Sequence, residues 1–385
     1  MEKVRFDDFI KLNRGFDLPD SQIEEGKYPV VASTNIKAYH KVYKVEGPMV
    51  VTGRSGSLGS VQYIEGKCWP LNTTLYVKDF KSNYPRYVYY FLKTMHLEQY
   101  NAGAGVPTLN QNHLHSLKIN IHEKDVQRRV ASILSAYDNL IENNNKRIRL
   151  LEQMAENLYK EWFVRFRFPG HEKAEFENGL PTGWKEWKLG EWGIKLDTGN
   201  RPKGGIDDTL SDGIPSLGAE AIKDLASFDY SSTKYIPREF YEKMKRGRNT
   251  GNDILLYKDG AYIGKVTLFR DGFPFSEYAI NEHVFFISPT AKVYQTYLYF
   301  TLHQEAYFSL MQNLNRNAAQ PGLSRPDIVR VKIMVPSESI IEEYNKKIEP
   351  MLSIIFKLAK QNAFLAKQRD LLLPRLMSGK LEVKA

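Results

Sequence analysis

The chain has 385 residues, 42% of them apolar and 26% charged, enough apolar side chain for two or three cores and too much for a disordered protein. Its one cysteine, Cys68, excludes a disulfide framework, and no apolar run approaches the 18 residues that mark a membrane span. With no apolar leader in "MEKVRFDDFIKL", a cytoplasmic chain without a membrane partner is expected. The net charge of +9, concentrated in residues 1–122 and 337–385, is compatible with a polyanionic ligand without requiring one.

In chain order, the first predicted elements are short strands: "GPMVVTGR" (47–54), "SVQYIEG" (60–66) and "TTLYVKDF" (73–80). These are β-branched and aromatic runs bounded by Gly, Asp or Pro. They define a strand-rich domain over 1–122. A helical pattern follows over 123–165, opened by His122-Glu123. Its apolar seam runs Val126, Val130, Ile133, Tyr137, Leu140, Asn144, Ile148, Leu151, Ala155, Leu158 and Trp162. Steps of 4 and 3 alternate except for two 4s around Asn144, which predicts a stutter there.

After a linker over 166–184, a second strand-rich domain occupies 185–336, with strands in "NDILLYKDG", "KVTLFRDG" and "HVFFISP". A second long helix is predicted over 337–380, with a tail at 381–385. Its seam reads Ile340, Tyr344, Ile348, Met351, Ile354, Leu358, Asn362, Leu365, Arg369, Leu372 and Leu376. A helix of some 40 residues with one apolar stripe is not stable alone, so the two are expected to bury their stripes against each other.

The two halves repeat. "YVYYFLKTM" (87–95) matches "YLYFTLHQE" (297–305). "GVPTLNQNHLHSLKINI" (105–121) matches "AQPGLSRPDIVRVKIMV" (319–335), setting Leu109 on Leu323 and Leu114 on Ile328. "RSGSLGSV" matches "DGAYIGKV", setting Gly59 on Gly264 and Val61 on Val266. The matching segments keep their order.

Signatures of chemistry are missing. No Pro-Pro dipeptide occurs, so the base-holding loop of an amino-methyltransferase is absent. "GAYIGKVT" has its glycines too close, and a valine after the lysine, for a phosphate loop. The acids of "PDSQIEEGK" (19–27) are crowded into one loop, and "HLH" (113–115) has no cysteine nearby to complete a zinc site.

Two strand-rich domains, each closed by a long helix, resemble the specificity subunit of type I restriction-modification systems. The resemblance covers nearly the whole chain and rests on "GLPTGWKEWKLGEW" (179–192), "DGIPSLGAEAI" (212–222), "NLYKEWFVRFRFPG" (157–170) and "QRDLLLPRLMSGKLEV" (368–383). The first unit departs from the pattern by lacking the Gly-Trp lead-in. The resemblance implies an α+β chain. Two similar mixed α/β target-recognition domains each read half of a bipartite double-stranded DNA sequence, and the helices pair as an antiparallel coiled coil that spaces the half-sites. It further implies a non-catalytic subunit that docks modification (M) methyltransferase subunits, which methylate adenine, and restriction (R) subunits. S-adenosylmethionine, ATP and Mg would then be bound by the partners. A self-sufficient DNA-modifying enzyme and a helical scaffold without DNA function are the alternatives.

Under this resemblance, DNA-reading residues are expected in loops rich in Lys, Arg and small polar groups. In the first domain these are Lys37, Arg54, Ser55, Ser57, Asn72, Thr73, Gln111 and Asn112. In the second they are Arg201, Lys203, Arg246, Arg248, Lys258, Tyr262, Lys265, Arg316, Asn317, Gln320 and Arg325. Helix pairing is expected at Ile133, Tyr137, Leu140, Asn144, Ile148, Leu151 and Leu158 against Ile348, Met351, Leu358, Asn362, Leu365 and Leu372. Antiparallel pairing about residues 146 and 360 sets Asn144 opposite Asn362. Trp162, Phe163 and Phe166 in "EWFVRFRF" are read as an exposed, partner-binding cluster, with packing onto the second domain as the alternative.

Overall fold

The computed structural model describes residues 1–206, 210, 212–314 and 322–383. The chain forms two compact units, one of residues 1–141 with 364–385 and one of residues 142–363.

In the first unit the elements are β1 (Glu2–Arg5), α1 (Phe6–Phe9), β2 (Lys11–Arg14), β3 (Glu25–Val31), β4 (Ile36–His40), β5 (Met49–Gly53), β6 (Val61–Ile64), β7 (Trp69–Pro70), β8 (Thr74–Asp79), α2 (Pro85–Thr94), α3 (Gln111–Ser116) and β9 (Lys118–Ile121). The long helix α4 (Lys124–Tyr159) then begins. Strands order as β2-β8-β5-β6 in an antiparallel sheet and as β4-β3-β7 in a second, with β3 and β7 parallel; β1 pairs with β9. Every residue of β5 is buried, as a continuous apolar run in the middle of a sheet requires. The core joins Phe6, Phe9, Val50, Leu75, Tyr87 and Leu114 to Val130 and Leu134 of α4 and to Leu373 and Leu376 near the end of the chain.

The second unit contains β10 (Phe176–Glu177), β11 (Leu180–Pro181), β12 (Lys185–Lys188), α5 (Leu189–Trp192), β13 (Ile194–Thr198), β14 (Ile214–Leu217), β15 (Lys234–Ile236), α6 (Arg238–Lys243), β16 (Asn252–Tyr257), β17 (Val266–Arg270), β18 (Ala279–Ile280), β19 (Val284–Pro289), α7 (Gln295–Leu302), α8 (Glu305–Leu314), α9 (Arg325–Val329), β20 (Lys332–Val335) and α10 (Glu338–Met377). Its sheets, β13-β19-β16-β17 and β15-β14-β18, and its pair β12-β20 repeat the first unit strand for strand, including the one parallel pairing, β14 with β18. Register repeats too: Thr52 faces Val61, and Leu256 faces Val266. Gly59 and Gly264 precede these partners with φ of +86° and +88°, a left-handed turn that explains the shared glycine.

Both units pair their helical segments antiparallel. In the first, His122 meets the carbonyl of Leu376 while Asp138 meets Arg369; in the second, Asn144 meets Asn362 while Trp162 packs on Tyr344. The seams are one residue away from the expected ones in places. Leu140 is 40% exposed and Ile141 takes the inward position; Leu134 is fully buried where Ile133 is half-buried. Adjacent residues lie 100° apart on a helix, so each Ile-Leu doublet left the choice open. Through Leu134, Tyr137, Ile141, Asn144 and Ile148 the steps alternate 3 and 4 without a stutter. In α10, Leu352 and Ile355 are buried, while Met351 is half-buried and Ile354 exposed. Ile148, Ile348 and Leu358 are buried, and Leu151, Leu158, Leu365 and Leu372 are half-buried.

Candidate nucleic-acid interface

One end of the first unit's sheets gathers four loops. Arg54 follows β5, Asn72 and Thr73 precede β8, Ser33 follows β3, and residues 107–112 lead into α3. Main-chain hydrogen bonds lock them together. Arg54 N donates to the Thr73 carbonyl at 2.8 Å, Leu109 N donates to the Arg54 carbonyl at 2.8 Å, and Gly56 N donates to Pro107 at 2.9 Å. Ser33 Oγ donates to the carbonyls of Thr73 (2.9 Å) and Ser55 (3.3 Å), a role the sequence did not single out. Asn110 caps α3 through its side chain, accepting from Asn112 N at 2.9 Å. Arg54, Ser55, Ser57, Asn72, Thr73, Gln111 and Asn112 therefore share one surface. The half-buried Arg54 guanidinium makes no ion pair with a described residue.

The second unit repeats this frame. Lys258 N donates to the His283 carbonyl at 3.1 Å, and Leu323 N donates to the Lys258 carbonyl at 2.9 Å. Ser55 bridges to Thr108 as Asp259 bridges to Gly322. Strand register then assigns counterparts: Arg54 with Lys258, Ser55 with Asp259, Thr73 with His283, and Asn72 with Glu282. Arg14 faces Leu75 as Thr198 faces Phe285, so Gly15 corresponds to Gly199 and Asp17 to Arg201. A side chain on either glycine would strike a facing carbonyl: a Cβ on Gly15 would fall 2.2 Å from Leu71 O and one on Gly199 1.5 Å from Ile280 O. The loop carrying Asp17 or Arg201 is thereby held against the loop carrying Asn72 or Glu282.

Glu282 and His283 were missed by the sequence reading. They share no identity with Asn72 and Thr73, and only the alignment of "INEHV" (280–284) with "PLNTT" (70–74) could have exposed them. In the structure they organise a charged network. Arg201 Nε donates to Glu282 Oε1 at 2.6 Å, Arg201 lies 3.1 Å from His283 Nε2, and His283 Nδ1 lies 3.2 Å from Asp259. Lys258 Nζ donates to the Glu282 carbonyl at 2.9 Å and pairs with Asp259 at 3.3 Å. Burial works against ionisation of Glu282, but the Arg201 hydrogen bond and charge hold its carboxyl below the ordinary value. Arg201 and Glu282 line an open cleft of about 570 Å³ with Asn200, Pro202, Gly205 and Phe240.

Other expected reading residues have different surroundings. Lys37 is paired with Asp20 (2.5 Å) and Lys265 with Asp224 (3.0 Å), so both charges are partly spent within the protein. Arg325 donates to the Leu196 carbonyl at 2.9 Å and fastens α9 to β13. Arg246 donates to Asn200 (3.3 Å) beside the cleft, and Arg248 covers the Tyr241 ring at 4.6 Å. Lys203 and Tyr262 are exposed. Arg316, Asn317 and Gln320 lie outside the described residues. His115 serves the interior, its Nε2 accepting from Leu12 N at 3.0 Å.

Trp162 and Phe163 correct the expectation of an exposed cluster. They are 4% and 6% exposed and pack on Tyr344, Tyr297 and Trp184, because the π-helical turn Lys160–Val164 directs them into the second unit's core. Phe166 is half-buried between Phe176 and Trp184. The most exposed apolar side chains of the two long helices are Leu150 (60%) and Met154 (54%) in the second unit and Phe364 (62%) and Leu371 (57%) in the first. Glu152, Glu156 and His303 bring donor atoms within 4.8 Å of one another, with His303 Nε2 hydrogen-bonded to Glu156 Oε1 at 3.1 Å.

Comparison with known proteins agrees with this architecture. The family described as "Type I restriction modification DNA specificity domain" matches residues 1–153 and again 181–369. Among curated proteins, the MjaIX type I restriction enzyme specificity subunit of Methanocaldococcus jannaschii is 24% identical, with 96% of this chain and 91% of that protein aligned. The MjaVIII specificity subunit of the same organism is 23% identical over 100% of this chain and 93% of that protein. The crystal structure of the type I restriction-modification system S subunit from M. genitalium shares the fold. Its TM-score is 0.62 at 17% identity, over 100% of this chain and 96% of that one. No helix among the described residues is long and apolar enough to cross a membrane. With the specificity domain matched twice in tandem over most of its length, the chain belongs to the type I restriction-modification DNA specificity family and is a specificity subunit.

Proposed function

We propose that this chain gives a type I restriction-modification complex its DNA sequence specificity, each strand-rich domain reading one half of a bipartite duplex target. The observation that carries the reading is the repeated loop frame. Main-chain hydrogen bonds hold Arg54 and Lys258 in equivalent turns, while the polar side chains beside them differ: Ser55 against Asp259, Asn72 against Glu282, Thr73 against His283 and Asp17 against Arg201. A constant frame carrying variable polar side chains is what two readers of different sequences require. The first domain spans 1–122 and the second 185–336, and the helices set the distance between half-sites.

The chain itself supplies no chemistry in this reading. M subunits bring S-adenosylmethionine and methylate adenine, and R subunits bring ATP- and Mg-dependent cleavage, in the cytoplasm of a prokaryote. Leu150, Met154, Phe364 and Leu371 are the helix side chains suited to meeting such partners, being large, apolar and exposed.

The test is to map methylated adenines in DNA exposed to this chain together with its modification partner. A bipartite motif with a fixed gap is expected, and exchange of residues 1–122 for another such domain should alter one half only. Methyl transfer by the chain alone, or the absence of any preferred sequence, would overturn the reading.

A further inference from the structure

The paired side chains at the foot of the two frames occupy the same place and have opposite chemistry. In the first domain Asn72 Nδ2 donates to Asp17 Oδ1; in the second Arg201 donates to Glu282. Both pairs are cross-links between the same two loops, each fixed by a glycine with no room for a side chain. They are partly exposed and stand next to the residue that follows β5 or β16. Nothing in the fold demands the exchange of charge: the main-chain frame around them is the same. Selection for a ligand that differs between the domains accounts for it.

We propose that these two pairs are specificity elements, Arg201–Glu282 reading a G·C base pair and Asp17–Asn72 reading the adenine of an A·T pair. This rests on the DNA-reading function argued above. The major-groove edge of G·C offers two acceptors on guanine, N7 and O6, beside the N4 amine of cytosine. A guanidinium next to a carboxylate is the complement of that pattern: Arg201, whose Nε and Nη2 are turned to Glu282, offers guanine the donors of its Nη1 side, and Glu282 accepts from the amine. Glu282 Oε2 is enclosed without a hydrogen-bond partner among the described residues, an unsatisfied acceptor that turning the carboxylate toward a base amine would satisfy.

Neither side chain of the first domain's pair is a cation, and the nearby Arg14 is turned to Asp17 as an ion pair at 3.7 Å, so the pair itself offers no guanidinium to guanine. Asp17 takes one N–H of the Asn72 amide and so sets its orientation, leaving the other N–H and the carbonyl oxygen. Those are the donor and acceptor that N7 and the N6 amine of adenine require.

The experiment is motif mapping by methylation with the complex reconstituted from this chain and its modification partner. The double variant Asp17→Arg, Asn72→Glu should change one position of the first half-site from A·T to G·C, shifting relative methylation there by about ten- to hundred-fold. The second half-site must stay unchanged, which also shows that the variant chain folds and assembles. Should the double variant give no methylation, Glu282→Gln decides the matter. It keeps the shape and hydrogen bonding of the loop but loses the charge, and it should relax a single G·C position of the second half-site. If both variants leave the motif unaltered while the wild-type complex has a bipartite motif, the pairs are structural links and the proposal is wrong. If the wild-type complex has no motif, the DNA-reading function itself fails.

Discussion

Asn144 donates its side-chain amide to Asn362 at 2.9 Å from a position only 1% exposed, and Asn362 in turn donates to Asn145 at 2.8 Å. Gln361 gives Asn144 a second acceptor at 3.1 Å. A polar cluster at an otherwise apolar seam sacrifices stability and fixes register, since any slip leaves amides unpaired in the interior. Replacing both Asn144 and Asn362 by Leu is expected to keep or raise the melting temperature. The same variant complex should accept targets with more than one gap between half-sites. A single unchanged gap would remove the role in register.

Asp138 joins the first domain to its helices. It accepts from Tyr90 of α2 at 2.5 Å and from Arg369 of α10 at 2.5 Å, with both partners of the ion pair less than a fifth exposed. Burial works against the Arg369 charge, yet Asp138 and Asp370 hold its pKa above the ordinary arginine value. Asp138→Ala leaves an enclosed guanidinium with one partner fewer and should cost about 2–4 kcal/mol in chemical denaturation. The coupling energy from a cycle of Asp138→Ala with Arg369→Ala should exceed about 1 kcal/mol. A value near zero would mean the pair behaves as a surface salt bridge.

Phe163 lies 4.8 Å from Tyr297 and 4.9 Å from Tyr344, ring centre to ring centre, and is 6% exposed. Phe163→Ala should therefore destabilise the protein by about 3–5 kcal/mol, the range for removing a core aromatic. A variant with unchanged melting that fails only to assemble with its partner would restore the reading of an exposed docking cluster.

The contrast between Phe163 and Leu109 indicates what a sequence can disclose. Leu109 and Leu323 were legible as a repeat because the core demands the same residue at the same place in each domain. Phe163 was misread because the rings that cover it, Trp184, Tyr297 and Tyr344, come from three distant segments, and local pattern carries no trace of them. Seam residues fell between these cases: the helices were clear, but Leu140 and Ile141 are equally apolar and only packing chooses between them. Glu282 escaped for the reverse reason. Glu282 and His283 share no identity with Asn72 and Thr73, so the repeat alignment left them invisible although they stand at equivalent places in the frame.

Glu152 should make stability depend on pH. Burial raises its carboxyl to about 7, His303 opposing and Glu156 and Asp224 adding to the shift. Below its ordinary value of 4.5 the group is protonated in folded and unfolded chains alike. As pH rises from there through about 7, the folded chain holds a proton that the unfolded chain has lost, so stability falls across this window. Glu152→Gln removes the dependence. The variant should be more stable than wild type at pH 8 by about 1–2 kcal/mol, after discounting for partial solvent access, with little advantage at pH 4.5. An advantage independent of pH would point to packing rather than charge.

Arg54 and Lys258 share a position but not a commitment. Lys258 is engaged by Asp259 and by the Glu282 carbonyl, so a DNA contact must replace interactions it already has. Arg54 has no acidic partner among the described residues and loses nothing internal by turning to a base edge. Alanine at Arg54 should therefore weaken binding of the assembled complex to its target by about 1–3 kcal/mol and relax one position of the first half-site. Lysine there restores charge but not the two parallel donors, so it should recover affinity without recovering discrimination. Lys258→Ala should cost less affinity than Arg54→Ala, because any DNA contact of Lys258 is offset by the loss of its ties to Asp259 and the Glu282 carbonyl. Equal losses from the two alanines, uniform across target sequences, would show that both act on phosphates alone.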